Sequence, residues 1–150
     1  MALFNRQKRR IRRLLIVEDE PIVAFDNEYG LSNAGYDVVA TVDRGDLAIA
    51  HLDRDRVDLV ILDMHLAGAI GGLDVARAAA QRGVAVLFAT ATDAAMARDV
   101  AVAWLAKPYN PAALIAALRA IDAVLCGDNP PAATPGLTMF CPPAQADVTP

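Results

Sequence analysis

Asp63 directly follows the apolar run Leu59-Val60-Ile61-Leu62, and three other short apolar runs end in residues that match it chemically. Leu14-Leu15-Ile16-Val17 ends in Glu18-Asp19, Val86-Leu87-Phe88-Ala89 in Thr90, and Trp104-Leu105-Ala106 in Lys107-Pro108. Brought together, Glu18, Asp19 and Asp63 would repel one another. At 4 Å and an effective dielectric near 20, each like-charge pair costs about 4 kcal/mol. Such a cluster persists if one group protonates or a cation binds. The ligands are hard oxygens with no Cys or His side-chain set, so Mg2+ or Mn2+ fits and zinc does not. Lys107 adds a fixed positive charge and Thr90 a hydroxyl donor. A metal, an ammonium and a hydroxyl around one remaining carboxylate would stabilise a phosphoryl group carried by that carboxylate. Asp63, on the central strand, is the candidate carrier. Singly, each residue has an ordinary explanation: helix N-terminal acids, a cap, a solvated base. The coincidence of four strand ends carries the reading.

These residues need a scaffold that brings strand ends to one rim, and the chain supplies it. Apolar runs predict strands at roughly 12–17, 36–40, 58–62, 84–89 and 102–106. Between them lie helical patterns. Pro21 opens one through about Asn33, with Ile22, Phe25 and Tyr29 at helical spacing as its apolar face. A second runs from Gly45 to about Asp53, with Leu47, Ile49, Ala50 and Leu52 available to the sheet, and a third from Leu73 to Gln81. The stretch from Asp93 to Asp99 is mostly alanine and predicts a short, weak fourth helix. Pro111 to Leu125 is the last, with a stripe of Leu114, Leu118, Ile121 and Leu125. Five strands alternating with five helices imply right-handed crossovers and a doubly wound parallel sheet with helices on both faces. In such α/β sheets ligands bind outside the carboxyl ends of the strands.

Composition bounds the rest. At 150 residues the chain is one domain with a tail, and it is rich in apolar residues but poor in aromatics. Arg6, Lys8, Arg9, Arg10, Arg12 and Arg13 make the start basic, while the remainder holds 8 basic and 18 acidic residues. The acidic body argues against nucleic acid as the main partner, and the arm at 1–11 reads as a solvated lead-in. No apolar run approaches the roughly 20 residues of a membrane span. Cys126 and Cys141 lack ligand spacing and read as reduced thiols of a cytoplasmic protein. Residues 127–150 carry six prolines and read as an unstructured tail, too short for an effector or DNA-binding domain.

Across residues 12–126 the sequence resembles the receiver domains of bacterial response regulators, CheY-like proteins of the flavodoxin-like fold. The acidic pair matches Glu18 and Asp19, the phosphoacceptor Asp63, the hydroxyl Thr90 and the lysine Lys107. The resemblance implies a five-stranded sheet of order 2-1-3-4-5. It implies Mg2+ (or Mn2+) held by Glu18, Asp19, Asp63 and the backbone carbonyl of His65, and a cis Lys107-Pro108 peptide. It also implies that Thr90 and Trp104 act as a switch pair, and that a sensor histidine kinase or phosphotransfer protein supplies the phosphoryl group. A downstream protein partner would read the result.

The departures are specific. Ala67 stands where the family has proline, and Thr90 and Lys107 are only 17 positions apart, which cuts the fourth helix down. Trp104 replaces the commoner Tyr or Phe. Phe88-Ala89-Thr90-Ala91-Thr92 resembles the Phe-Ala-Thr-Gly-Tyr stretch of single-domain alphaproteobacterial receivers associated with HWE-type kinases, with two positions changed. The competing class is a receiver-shaped binding module that is never phosphorylated. An aspartate-nucleophile phosphatase needs a second acid where His65 stands, and a nucleotide-binding flavodoxin relative would not place Glu18-Asp19-Glu20 after its first strand.

Overall fold

A computed structural model describes residues 9–129 and 134–140. The basic arm through Lys8 and most of the proline-rich stretch, Cys141 included, lie outside that range. The order is β1 (Arg13–Val17), α1 (Pro21–Asn33), β2 (Asp37–Val42), α2 (Gly45–Arg54), β3 (Leu59–Leu62), α3 (Gly72–Gln81) and β4 (Ala85–Thr90). A 3-10 turn at Ala95–Ala97, β5 (Ala103–Ala106), α4 (Pro111–Leu125) and β6 (Leu137–Met139) follow.

Strands β1 to β5 are parallel, and the sheet order is β2-β1-β3-β4-β5-β6. Side chains alternate between the faces, as the pleat requires. Leu15, Val17, Val60, Leu62, Val86 and Phe88 meet α2 and α3 on one face. Leu14, Ile16, Leu59, Ile61, Leu87 and Leu105 meet α1 and α4 on the other.

Four expectations are corrected. The sheet has six strands, not five, because Leu137–Met139 adds antiparallel to the open edge of β5. These residues were expected within an unstructured tail. A three-residue apolar-polar-apolar segment among prolines is too short to register as a pattern, yet β5 offers it an edge. Second, the described residues contain four α-helices, with only the 3-10 turn between β4 and β5. Alanines at 94, 95, 97 and 101 have little apolar area with which to hold a longer helix. Phe140, just past β6, packs into the same core region as Ala94, Ala97 and Trp104.

Third, α1 is turned the other way. Ile22, Phe25 and Tyr29 are 77%, 66% and 63% exposed, and Ala24, Asn27 and Leu31 face inward. Small residues allow this close packing: a Cβ on Gly30 would lie 3.1 Å from the Pro111 Cβ. On α2, likewise, Ala48 and Leu52 are buried while Leu47 is exposed. Fourth, Ile11 is core, not arm. The Asp122 carboxylate accepts from the backbone N–H groups of Arg10 (2.8 Å) and Ile11 (3.3 Å), which anchors the chain before β1.

Phe140→Ala should lower the unfolding free energy by about 3 kcal/mol in urea denaturation, the low end for a buried phenylalanine. Ile22→Ser, on the exposed side of α1, should change it by no more than about 0.5 kcal/mol. Equal effects would place Phe140 outside the core.

Candidate phosphoryl-transfer site

Glu18, Asp63 and Lys107 lie one position past the ends of β1, β3 and β5, Thr90 is the last residue of β4, and the neighbouring strand holds the first three in place. The Glu18 N–H donates to the Val42 carbonyl (2.9 Å), Asp63 N–H to Val17 (3.0 Å) and Lys107 N–H to Thr90 (3.1 Å). The strand ladder therefore extends under the site and fixes where each side chain starts. Gly72 closes the floor. A Cβ there would collide with the Asp63 carbonyl oxygen, so the β3–α3 loop can fold this tightly only over glycine.

The centre is the Lys107 ammonium. It donates to Asp63 Oδ2 at 2.9 Å, to Glu18 Oε1 and Oε2 at 2.9 and 3.1 Å, and to Glu20 Oε1 at 2.9 Å. Glu18 and Asp63 are buried and Glu20 is exposed. Burial raises the Glu18 carboxyl to about 7, with the Lys107 hydrogen bond opposing that rise and the Asp63 charge adding to it. Burial works against the Lys107 charge, but its bonds to Glu18, Glu20 and Asp63 outweigh this and hold its pKa above the ordinary lysine value. The Lys107-Pro108 peptide is cis.

The carboxylates that the structure gathers differ in one member from those expected. Oxygens of Glu18, Glu20 and Asp63 all lie within 4.8 Å of one another, and Asp19 is exposed outside that group. The chain bends at Asp19, the Glu20 N–H donates to Glu18 Oε1 at 3.2 Å, and the Glu20 carboxylate turns in to Lys107. The Glu18-Asp19-Glu20 run contains all three acids, and the sequence does not show which of them turn towards Lys107. The set fits a hard divalent cation. It consists of carboxylate oxygens and already seats a positive charge, the ammonium, among them.

Thr90 is buried at the end of β4, and its Oγ1 accepts from the Thr92 N–H at 3.3 Å. Trp104 lies on the α2–α3 side and donates its indole N–H to the Thr90 carbonyl at 3.1 Å. The two expected switch residues are thus directly linked. His65 N–H donates to Asp63 Oδ1 (3.2 Å), and its ring Nε2 is 2.6 Å from Thr92 Oγ1, which ties together the loops on either side of Asp63. That ring contact had no signature in the sequence, because it joins two loops 27 residues apart. Nor did the bond from Asn27 Nδ2 to the Tyr109 hydroxyl at 2.9 Å.

The arrangement can hold a cation beside Asp63 and place positive charge and donors around a group attached to it. Sensory transduction protein RegX3 of Mycobacterium tuberculosis is 34% identical over 114 residues, covering 72% of this chain and 49% of RegX3. Transcriptional regulatory protein PdtaR of the same organism is 32% identical, covering 72% and 55%. This chain therefore spans about half the length of these relatives. Response regulator protein TrrA of Thermotoga maritima, solved in complex with Mg2+ and BeF, superimposes with a TM-score of 0.66 at 26% identity, covering 74% of this chain and 99% of that one. The response regulator receiver domain family matches residues 14–119, and the chain belongs to it.

Proposed function

We propose that this chain accepts a phosphoryl group on Asp63 in a Mg2+-dependent relay and acts as a switch, relay or phosphate sink. The observation that carries the reading is the Lys107 ammonium, 2.9 Å from Asp63 Oδ2 inside a buried acidic cluster. An Asp63 oxygen attacks the phosphorus of a phosphohistidine; the new O–P bond forms as the P–N bond breaks and the imidazole leaves. Lys107 and the Thr90 hydroxyl supply positive charge and a donor to the phosphoryl oxygens. Glu18, Asp63, Glu20, Asp19 and the His65 carbonyl are the groups that would hold Mg2+, which neutralises phosphoryl charge when bound. Thr90 and Trp104 form the switch, a reading supported by the indole N–H bond to the Thr90 backbone carbonyl.

The donor is a sensor kinase or phosphotransfer protein, and the Phe88-Ala89-Thr90 stretch supports an HWE-type kinase at its head. The exposed face of α1 supports docking there. Ile22, Phe25 and Tyr29 form an apolar strip that starts beside Glu20, and the Phe25 and Tyr29 rings stack at 6.1 Å. No described helix is long and apolar enough to cross a membrane, and we place the protein in the cytoplasm.

Acetyl phosphate with Mg2+ should add one phosphate by intact mass and shift the emission of Trp104, the single tryptophan. Asp63→Asn should do neither; equal labelling of that variant would displace Asp63 as acceptor.

Mg2+ should stabilise the fold by linkage, by about 2.7 kcal/mol at a hundredfold excess over Kd, and so raise the melting temperature. Because Glu18 titrates near 7, its proton competes with the cation, so Mg2+ affinity should climb as pH rises through 7 and then level off. Asp19→Asn should lose most of the Mg2+ effect. A full effect in Asp19→Asn, with loss in Glu20→Gln, would assign the third carboxylate to Glu20.

Phe25→Glu should slow phosphorylation by a protein donor at least tenfold, the scale of one buried aromatic contact. Its rate with acetyl phosphate should stay at the wild-type value. Equal slowing with both donors would mean that α1 is not the docking face.

A further inference from the structure

Asn27 stands on the inward side of α1, only 3% exposed, between the apolar residues Ala24 and Leu31. A leucine there would fill the space with no polar atom to satisfy, whereas a buried amide must be hydrogen-bonded or it destabilises the fold. Its partner is the Tyr109 hydroxyl, and Tyr109 lies two residues past Lys107. Burial raises the Tyr109 phenol above its ordinary value, against the Asn27 bond, and the charges of Glu18, Lys107 and Asp63 all act on it. The hydroxyl is thus electrostatically part of the site, although it touches none of the reacting groups.

The segment 107–111 carries the ammonium and is pinned along its length. The Lys107 N–H is bound to the Thr90 carbonyl at 3.1 Å. The Asn110 side chain accepts from the Ala113 N–H at 2.8 Å and caps α4. Pro111 abuts α1 at Gly30. Asn27–Tyr109 is the hydrogen bond that joins this segment to α1, and it fixes angle as well as distance where the Pro111–Gly30 packing fixes only distance. The same helix presents Ile22, Phe25 and Tyr29 outward and leads back through Glu20 into the acid cluster.

We propose that Asn27 and Tyr109 are a positioning pair that fixes the Lys107 segment to α1 and so sets the ammonium at Asp63 for phosphoryl transfer. This rests on the receiver reading above. The helix that meets the donor would then also hold the lysine that receives the phosphoryl charge. Neither residue is catalytic, since each acts only through Lys107.

The chain has two lysines, Lys8 and Lys107, which makes a direct test simple. With 15N-lysine in the full-length protein, the Lys107 ammonium signal is identified by its loss in Lys107→Arg. Tyr109→Phe keeps the ring and removes the hydroxyl. It should broaden or shift the Lys107 signal and lower the melting temperature by several degrees, because the buried Asn27 amide loses its partner, while the all-apolar Asn27→Leu/Tyr109→Phe variant should recover that loss. It should also cut the rate at saturating acetyl phosphate and Mg2+ by roughly fivefold, short of the ~100-fold that a 1 Å misplacement can cost, at an unchanged half-saturating donor concentration. Asn27→Leu should do the same, and the double variant should be no slower than either single, because the two act as one unit. A folded Tyr109→Phe with wild-type signal and rate overturns the proposal, as do single effects that multiply in the double variant. If Tyr109→Phe does not fold, the all-apolar Asn27→Leu/Tyr109→Phe variant decides, and a wild-type rate there overturns it. If the wild-type protein takes no phosphate at all, the receiver reading fails. The ammonium signal then still tests the pairing by itself.

Discussion

One ammonium among three carboxylates sets the terms for the rest of this structure. Lys107 lies within 3.1 Å of oxygens from Glu18, Glu20 and Asp63. Without that charge, three acids at the end of a buried sheet would repel one another by several kcal/mol. With it, the cluster is held together by a cation on a tether. The tether is a short strand, a cis peptide and the cap of α4, so the sheet, the loop and the last helix all take part in placing a single nitrogen. A divalent ion entering the site must share these oxygens with the ammonium. Cation binding and the position of Lys107 are therefore one coupled equilibrium.

Much of this was legible from residue order. Apolar runs that stop abruptly at polar residues give both the strands and their open ends, and parallel winding brings such ends to one rim. That placed Asp63, Glu18, Thr90 and Lys107 together with no coordinates. Three things stayed hidden, for different physical reasons. That Glu20 joins the partners of the ammonium depends on how the chain bends after β1, which residue order does not record. The rotation of α1 was misread because its large apolar residues mark an exposed face; small residues and one buried amide pack inward instead. Contacts such as His65 to Thr92 and Asn27 to Tyr109 join distant loops and helices, and a linear pattern carries no trace of them.

The short β4–β5 connection and β6 are best understood together. A three-residue turn of small residues stands where a fourth helix was expected, and it brings little apolar area to the α2–α3 face. Phe140 packs on that face from a segment that first pairs with β5. Trp104 sits between the two, opposite Thr138 in the ladder and bonded to Thr90 behind it. The surface next to Trp104 is thus built from the C-terminal segment, not from a helix.

That arrangement bears on how the chain is made. β5 leaves the ribosome before α4, and the strand that covers its edge emerges only after α4 is complete. Until then the backbone N–H and C=O groups along Ala103–Ala106 face solvent as a template for any passing strand. A nascent chain paused at that stage could lend its edge to the β6 of a neighbour, giving an exchanged dimer with the same pairings as the monomer.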